Sequence, residues 1–278
     1  MSWKYTDEYY REYTRKTWDE SAANWLNWMD LLRPVGEHLV QRLHLRPGMK
    51  VLDIGTGTGE PALTLAKKVA PSGHVTGVDL SEKMIEIAQQ IALRVRVSNA
   101  TFSVMDAERL TFADDSFNLV VSRFGFQIFT NPDVAAKEAY REVKAGGEIG
   151  VTVWSTGDKV PALHVLVGAM LEFAEPDETG YLPTPYELGG PGEMVKFLRK
   201  VGFLRAKEER VTEEFRFRDE DEYFRLLLDS TPLGHSLKEE DRDVQEKILH
   251  KAKENLQRWK TKKGFLLPAE IVIVTARK

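Results

Sequence analysis

The sequence predicts an α/β fold built on a doubly wound, mostly parallel sheet. Three observations carry that prediction. From Met49 onward, short runs rich in Val, Ile and Leu alternate with stretches of helical apolar spacing. The run KVLDIGTGTGEP, residues 50–61, sets glycines 55, 57 and 59 directly after the first strand. Carboxylates at Asp53, Asp79 and Asp106 fall at or beside the ends of the first three strands. Strand–helix units of this size need parallel pairing, because each helix carries the chain back across the sheet. Right-handed crossovers then wind the sheet in both directions, and ligands bind beyond the C-terminal strand ends.

The first 47 residues read as helical and rich in aromatics. Trp18, Ala22, Trp25 and Met29 recur at helical spacing, so one face is buried. A second helix is predicted from near Pro34 to before Pro47-Gly48. Val51–Ile54 is the first strand, and the helix after the glycine loop runs to about Val69, with Pro61 in its first turn. His74–Val78 is the second strand, ending at Asp79. Ser81 caps the next helix, whose Met84, Ile87, Ala88 and Ile91 form an apolar face. Thr101–Met105 and Phe117–Ser122 are the third and fourth strands. Asn131-Pro132 starts a helix that Gly146-Gly147 is expected to end, and Ile149–Trp154 is the fifth strand.

Beyond Trp154 the pattern loosens. Val160–Phe173 and the segment around Met194–Val201 read as helices, and 175–192 as a long loop. Ala206–Phe217 reads as a strand, 219–263 as mostly helical, and Ile271–Thr275 as a final strand. Two units follow: a helical aromatic lid, 1–47, and a main domain, 48–278, with inserts near 158–192 and 219–263.

Bulk properties narrow the function. The 278 residues carry a net charge of −4, which disfavours nucleic acid as the main partner. No stretch reaches a membrane span and no signal peptide is evident, so the protein reads as cytoplasmic. Without cysteine there is no disulfide, thiolate metal site or thiol nucleophile. The histidines lack metal-ligand spacing, and no metal is expected. Abundant Lys and Glu with few Asn and Gln suits a thermophilic source.

The glycine loop lacks the Gly-Lys-Ser/Thr of a triphosphate site. It also departs from G-x-G-x-x-G, because Glu60 stands where the third glycine belongs. A carboxylate there repels a pyrophosphate at the helix start. Asp79 can accept both hydroxyls of a ribose. Asp106-Ala107 suits a ligand with amino groups, such as adenine.

Four blocks carry a family resemblance: VLDIGTGTGEPAL, GHVTGVDLSEKMIEIA, VMDAERLTFADDSFNLVVSRFGF and EAYREVKAGGEIGVTVW. In this order and spacing, over residues 48–155, the chain resembles the class I S-adenosylmethionine-dependent methyltransferases. More narrowly it is similar to the ubiquinone/menaquinone C-methyltransferase-like group, the type 11 methyltransferases. The resemblance implies a Rossmann-like, seven-stranded sheet with a reversed final β-hairpin at FLLPAEIVIVTARK. It implies S-adenosyl-L-methionine as cofactor. Asp53 and Gly55, Thr56, Gly57, Thr58 and Gly59 would line its methionine part. Asp79 would hold the ribose, Leu80 and Met84 would flank the adenosine, and Asp106 would take the adenine amino group with Ala107 beside the ring. Arg123 stands where the quinone enzymes carry a serine against the cofactor, and is counted with the cofactor-binding residues.

Methyl transfer from a sulfonium is an in-line displacement that needs placement and exclusion of water more than an acid or base. No residue is singled out as catalytic. His164 reads as structural, with a general base as the sharper alternative. Tyr9, Tyr13, Trp18 and Trp25 are expected to face the pocket, and Tyr181–Tyr186 to form a substrate-facing loop. The cationic run Lys251–Lys263 reads as a solvated helix face. The fourth strand ends in Ser122-Arg123-Phe124-Gly125, unlike the Asn/Asp-Pro-Pro-aromatic run used on bases and on glutamine. The acceptor is therefore expected to be a small molecule. The competing readings are a nicotinamide (NAD(P)) oxidoreductase and a non-catalytic S-adenosylmethionine-binding protein.

Overall fold

The computed structural model describes residues 7–173 and 184–278. Two helices open the chain: α1 (Asp7–Trp25) and α2 (Met29–Arg42), joined by a short 3-10 turn. The alternating region follows: β1 (Lys50–Ile54), α3 (Ala62–Val69), β2 (His74–Asp79), α4 (Glu82–Arg94), β3 (Ala100–Val104), β4 (Phe117–Arg123), α5 (Pro132–Glu142) and β5 (Val143–Trp154). Then come α6 (Pro161–Phe173), α7 (Glu193–Val201), β6 (Leu204–Phe217), α8 (Glu220–Ser230), α9 (Pro232–Lys238), α10 (Arg242–Gln257), β7 (Lys260–Thr261) and β8 (Gly264–Arg277).

The strand order is β3-β2-β1-β4-β5-β8-β6. Pairing is parallel from β3 to β5 and antiparallel for β5–β8 and β8–β6. The reversed hairpin is thus β6 and β8. An additional strand, the two-residue β7, pairs with β8 off the main path. Alternation along β1 sends Val51 to one face, with α2, α3 and α4, and Leu52 and Ile54 to the other, with α5 and α7. Both faces are covered, which is why these strands read as continuous apolar runs.

Local signals placed several boundaries. Ser81 Oγ accepts from Met84 N, and Asn131 Oδ1 from Val134 N, each capping its helix. Other boundaries differ from expectation. Helix α2 starts at Met29, with Pro34 inside it. The N–H that proline lacks would have met the carbonyl of Asp30, an exposed residue whose carbonyl water can satisfy. Gly146-Gly147 does not end α5, which stops at Glu142. These glycines lie in β5, where the register against β4 jumps from Phe117↔Val143 to Leu119↔Glu148. The 219–263 segment is mostly helical as expected, in three helices ending at Gln257, with the short β7 after them. The final strand is longer than 271–275, because β6 pairs along it from Phe265 to Arg277. Tyr181 and half of the 175–192 loop, residues 175–183, lie outside the described residues.

Candidate functional site

A cavity of about 280 Å³ lies at the C-terminal ends of the strands. Its floor is the glycine loop. Gly55, Gly57 and Gly59 have φ of 71°, 53° and 101°, a region that excludes most side chains. The loop is held by its neighbour strand: Gly55 N and Thr56 N donate to Val78 O at 2.9 and 3.0 Å. Gly57 N donates to Asp79 Oδ2 at 2.8 Å, and Thr56 Oγ1 to Asp53 Oδ2 at 2.7 Å. Glu60 Oε2 accepts from Thr64 N at 3.3 Å, so its carboxylate occupies the start of α3.

Of the predicted residues, the structure brings Gly55, Thr56, Gly57, Asp79, Leu80 and Met84 to the cavity wall. Asp106, Ala107 and Arg123 line it too. Asp53, Thr58 and Gly59 do not. Thr58 is buried, with its hydroxyl 3.5 Å from Met29 Sδ, and Gly59 packs toward Leu63 and Ala88. Asp53 is buried beneath the loop, and its Oδ1 has no hydrogen-bond partner among the described residues.

Each carboxylate has a distinct environment. Burial pushes Asp53 up to about 7, against the pull of the Thr56 hydroxyl and the Arg123 charge. Asp79 is also raised by burial, opposed by the N–H groups of Ser81 and Gly57. Asp106 Oδ1 accepts from Glu108 N at 2.9 Å, and its Oδ2 lies 2.7 Å from Arg11 Nε. Arg11 also reaches Glu108 at 2.7 Å. Helix α1 is therefore fastened to the end of β3. Its Asp19 fastens it again, accepting from Ser81 Oγ at 2.6 Å and Lys83 N at 3.1 Å.

The opposite wall is aromatic. Phe124 stacks on Trp154 at 4.0 Å, and Trp154 meets Phe215 at 6.2 Å. Phe215 meets Trp28 at 6.2 Å, and Trp28 meets Trp25 at 6.0 Å. Phe124 has φ of 65°, an uncommon conformation for a non-glycine residue, at the end of β4. Leu163 of α6 and Leu233 of α9 complete this wall.

Trp18 and Trp25 line the cavity, as expected. Tyr9 and Tyr13 do not: Tyr9 is exposed, and the Tyr13 hydroxyl meets Ser236 and Glu239 on the α9 side. His164 packs against Tyr186 away from the cavity, and burial lowers its pKa. Lys251 pairs with Glu172 at the surface. Sequence reasoning missed Trp28, Phe124, Trp154 and Arg11. Of these only Trp28 had a local signal, the aromatic density of the first thirty residues.

Residues 45–175 match the methyltransferase-domain family. Over 119 residues the chain is 34% identical to the ubiquinone/menaquinone biosynthesis C-methyltransferase UbiE of Hydrogenovibrio crunogenus, covering 42% of this chain and 47% of that one. Over 182 residues it is 28% identical to a demethylmenaquinone methyltransferase of Staphylococcus aureus, covering 62% of this chain and 74% of that one. The chain thus spans about half the length (47%) of the first of these curated relatives. Among solved structures, the YcgJ protein of Bacillus subtilis superposes with a TM-score of 0.63 at 18% identity, covering 88% of this chain and 98% of that one. A phosphoethanolamine N-methyltransferase of Haemonchus contortus, solved with S-adenosyl-L-methionine, gives 0.60 at 18% identity, covering 97% of this chain and 60% of that one. The matched domain covers just under half of the chain, and the solved structures share its fold. The curated relatives it resembles are named as ubiquinone/menaquinone and demethylmenaquinone methyltransferases.

Proposed function

We propose that this chain is an S-adenosyl-L-methionine-dependent methyltransferase acting on a small molecule. The observation that carries the reading is the loop itself. Gly57 and Asp79 are locked together at a cavity wall, while the Glu60 carboxylate fills the helix start that a pyrophosphate would need. A phosphate-free adenosyl ligand fits those residues, and a nicotinamide dinucleotide does not.

The residues divide by function. Asp79 accepts the ribose hydroxyls, Leu80 and Met84 flank the adenosine, and Asp106 with Ala107 receives the adenine edge. Gly55, Thr56 and Gly57 allow close backbone approach at the methionine end. Thr58 and Gly59 hold the loop against α2 and α4. Asp53 lies below, and its Oδ1, without a hydrogen-bond partner among the described residues, suits a positively charged amino group. When bound, the cofactor supplies a methyl group on a positively charged sulfur. Segment 1–47 acts as a lid: Trp18 and Trp25 close the cavity against water, and aromatic faces favour a cation nearby. The segments near 158–192 and 219–263 shape the acceptor side. Among the described residues no helix is long and apolar enough to cross a membrane. The cysteine-free, Lys- and Glu-rich composition supports a cytoplasmic protein of thermophilic origin.

Calorimetric titration tests the reading. S-adenosylhomocysteine should bind and NAD should not. Binding of NAD with no binding of S-adenosylhomocysteine would overturn it.

A further inference from the structure

Glu108 joins three separate walls of the cavity. It lies just past the end of β3, lines the cavity and is only 9% exposed. Its Oε2 accepts from Arg11 Nη2 on α1 at 2.7 Å. Its Oε1 accepts from Asn131 N at 2.6 Å. Its own N donates to Asp106 Oδ1 at 2.9 Å. Arg11 stands 97 residues away in sequence and Asn131 stands 23 away, so one buried carboxylate fixes two distant segments to the end of β3. Hydrogen bonds to an ionised oxygen are the strong ones, and each oxygen serves a different wall.

Both walls carry cavity residues. Helix α1 brings Trp18 and Trp25. Asn131 caps α5 and ends the turn in which Gly125, Ile128 and Phe129 line the cavity. That turn is compact, because Gly125 O accepts from Ile128 N at 2.9 Å and Phe129 N at 3.1 Å. It is also tied onward: Gln127 Oε1 accepts from Trp154 N at 2.8 Å, at the end of β5. Polar contacts therefore run from α1 through Glu108 and the 125–131 turn to the aromatic wall.

The charges give this connection a trigger. Arg11 Nε lies 2.7 Å from Asp106 Oδ2, and Arg11 Nη2 lies 2.7 Å from Glu108 Oε2. Two carboxylates face this guanidinium. A ligand amino group arriving at Asp106 competes there with Arg11 and shifts the guanidinium toward Glu108. A partly buried cation is held by whichever carboxylate is left to it, since losing its partner is costly.

We infer that Glu108 is a positioning residue that couples α1 to the 125–131 turn, so that a ligand settling on Asp106 tightens both together. The inference rests on the methyltransferase reading only for the identity of that ligand. Its consequence for methyl transfer is that water is excluded from the two sides of the cavity in one step.

Hydrogen exchange of the full chain, read by mass spectrometry, tests this in two arms. The first needs no ligand. Arg11→Gln should speed exchange across 125–134 by about fivefold or more in the wild-type background, and by about twofold or less in a Glu108→Gln background. Glu108→Gln keeps an oxygen for Asn131 N and gives up the charge pair. Exchange in β1 is the control. Acceleration there by the same factor would reduce the contact to a general stability role and overturn the inference, as would equal acceleration of 125–134 in both backgrounds, or none in the wild type. The second arm adds saturating adenosine, which lacks the methionine end and reaches only the β2–β3 residues. On the wild type it should slow exchange at both 7–25 and 125–134, and on Glu108→Gln the slowing at 125–134 should be lost. Slowing confined to 7–25 on the wild type, or undiminished at 125–134 on a folded Glu108→Gln, would overturn the inference. The wild-type comparison serves if the variant misfolds. Failure of both adenosine and S-adenosylhomocysteine to bind would overturn the methyltransferase reading, while the ligand-free arm still decides the coupling.

Discussion

Replacing Asp79 by alanine gives the most direct test of how the cavity holds a ribose. Each carboxylate oxygen already accepts one backbone N–H: Oδ2 from Gly57 at 2.8 Å and Oδ1 from Ser81 at 2.9 Å. Each keeps lone-pair capacity for one hydroxyl. Hydrogen bonds to a charged group contribute about 1.5–3 kcal/mol each. Losing two costs on the order of 3–6 kcal/mol, a weakening of roughly a hundredfold to ten-thousandfold. The alanine variant also releases Gly57 N, so the loop loses a tether together with the ligand contact. Asp79→Asn keeps the shape without the charge and should fall between. Calorimetry with S-adenosylhomocysteine on wild type and both variants, with melting curves to confirm folding, measures this. Affinity of a folded Asp79→Ala within threefold of the wild type would refute the reasoning. There is a pH signature too. Burial holds Asp79 above its ordinary 3.8, so its acceptor capacity, and the affinity, should begin to fall at a higher pH than for an exposed aspartate.

Other outcomes are expected. Asp53 is raised from 3.8 to about 7, so its contribution to stability is full below about pH 4 and is lost as pH rises through about 7. At about 1.4 kcal/mol per pH unit the span is worth on the order of 4 kcal/mol. Denaturant unfolding should show Asp53→Asn gaining on the wild type between pH 5 and pH 8, and parallel curves would contradict this. Arg11→Ala removes the tie between α1 and the Asp106–Glu108 pair, so amide exchange across residues 7–25 should accelerate; unchanged protection would show that packing alone holds the helix. A Cβ at Gly77 would lie 2.7 Å from Phe102 and 2.8 Å from Thr56 Oγ1. Gly77→Ala should therefore cost about 1–3 kcal/mol in urea unfolding and weaken S-adenosylhomocysteine binding through the displaced loop; a neutral effect on both would speak against a tight fit there.

The glycine-loop half of the cavity was legible because its signals are written locally. The glycines at 55, 57 and 59 announce a left-handed loop, Glu60 announces that no phosphate follows, and Asp79 and Asp106 stand at strand ends that the helix periodicity locates. The aromatic half was not. Trp28, Leu163 and Leu233 come from α2's approach, α6 and α9, and each reads like an ordinary core residue, because an apolar side chain facing a cavity and one facing a neighbour have the same spacing. Phe124 was hidden for another reason. Its φ of 65° departs from what a strand residue suggests, and it turns the ring onto Trp154. Gly146-Gly147 misled in the fold, since paired glycines mark a helix end and a bulged strand equally well.

The β6–β8 hairpin has a bearing on how such a cavity diversifies. Phe217 and Phe265 pair across it, so the stretch from 218 to 264, which includes α9 with its cavity residues Leu233 and Ser236 and the short β7, begins and ends at one point of the sheet. Paired strand residues lie about 4.5–5.5 Å apart. A segment with its ends held so close can be exchanged for one of different length at little cost in closure entropy. The roof over the cavity is thus a replaceable cassette on a fixed glycine-loop chassis, and a new ceiling can be grafted there while every hydrogen bond of the glycine loop stays in place.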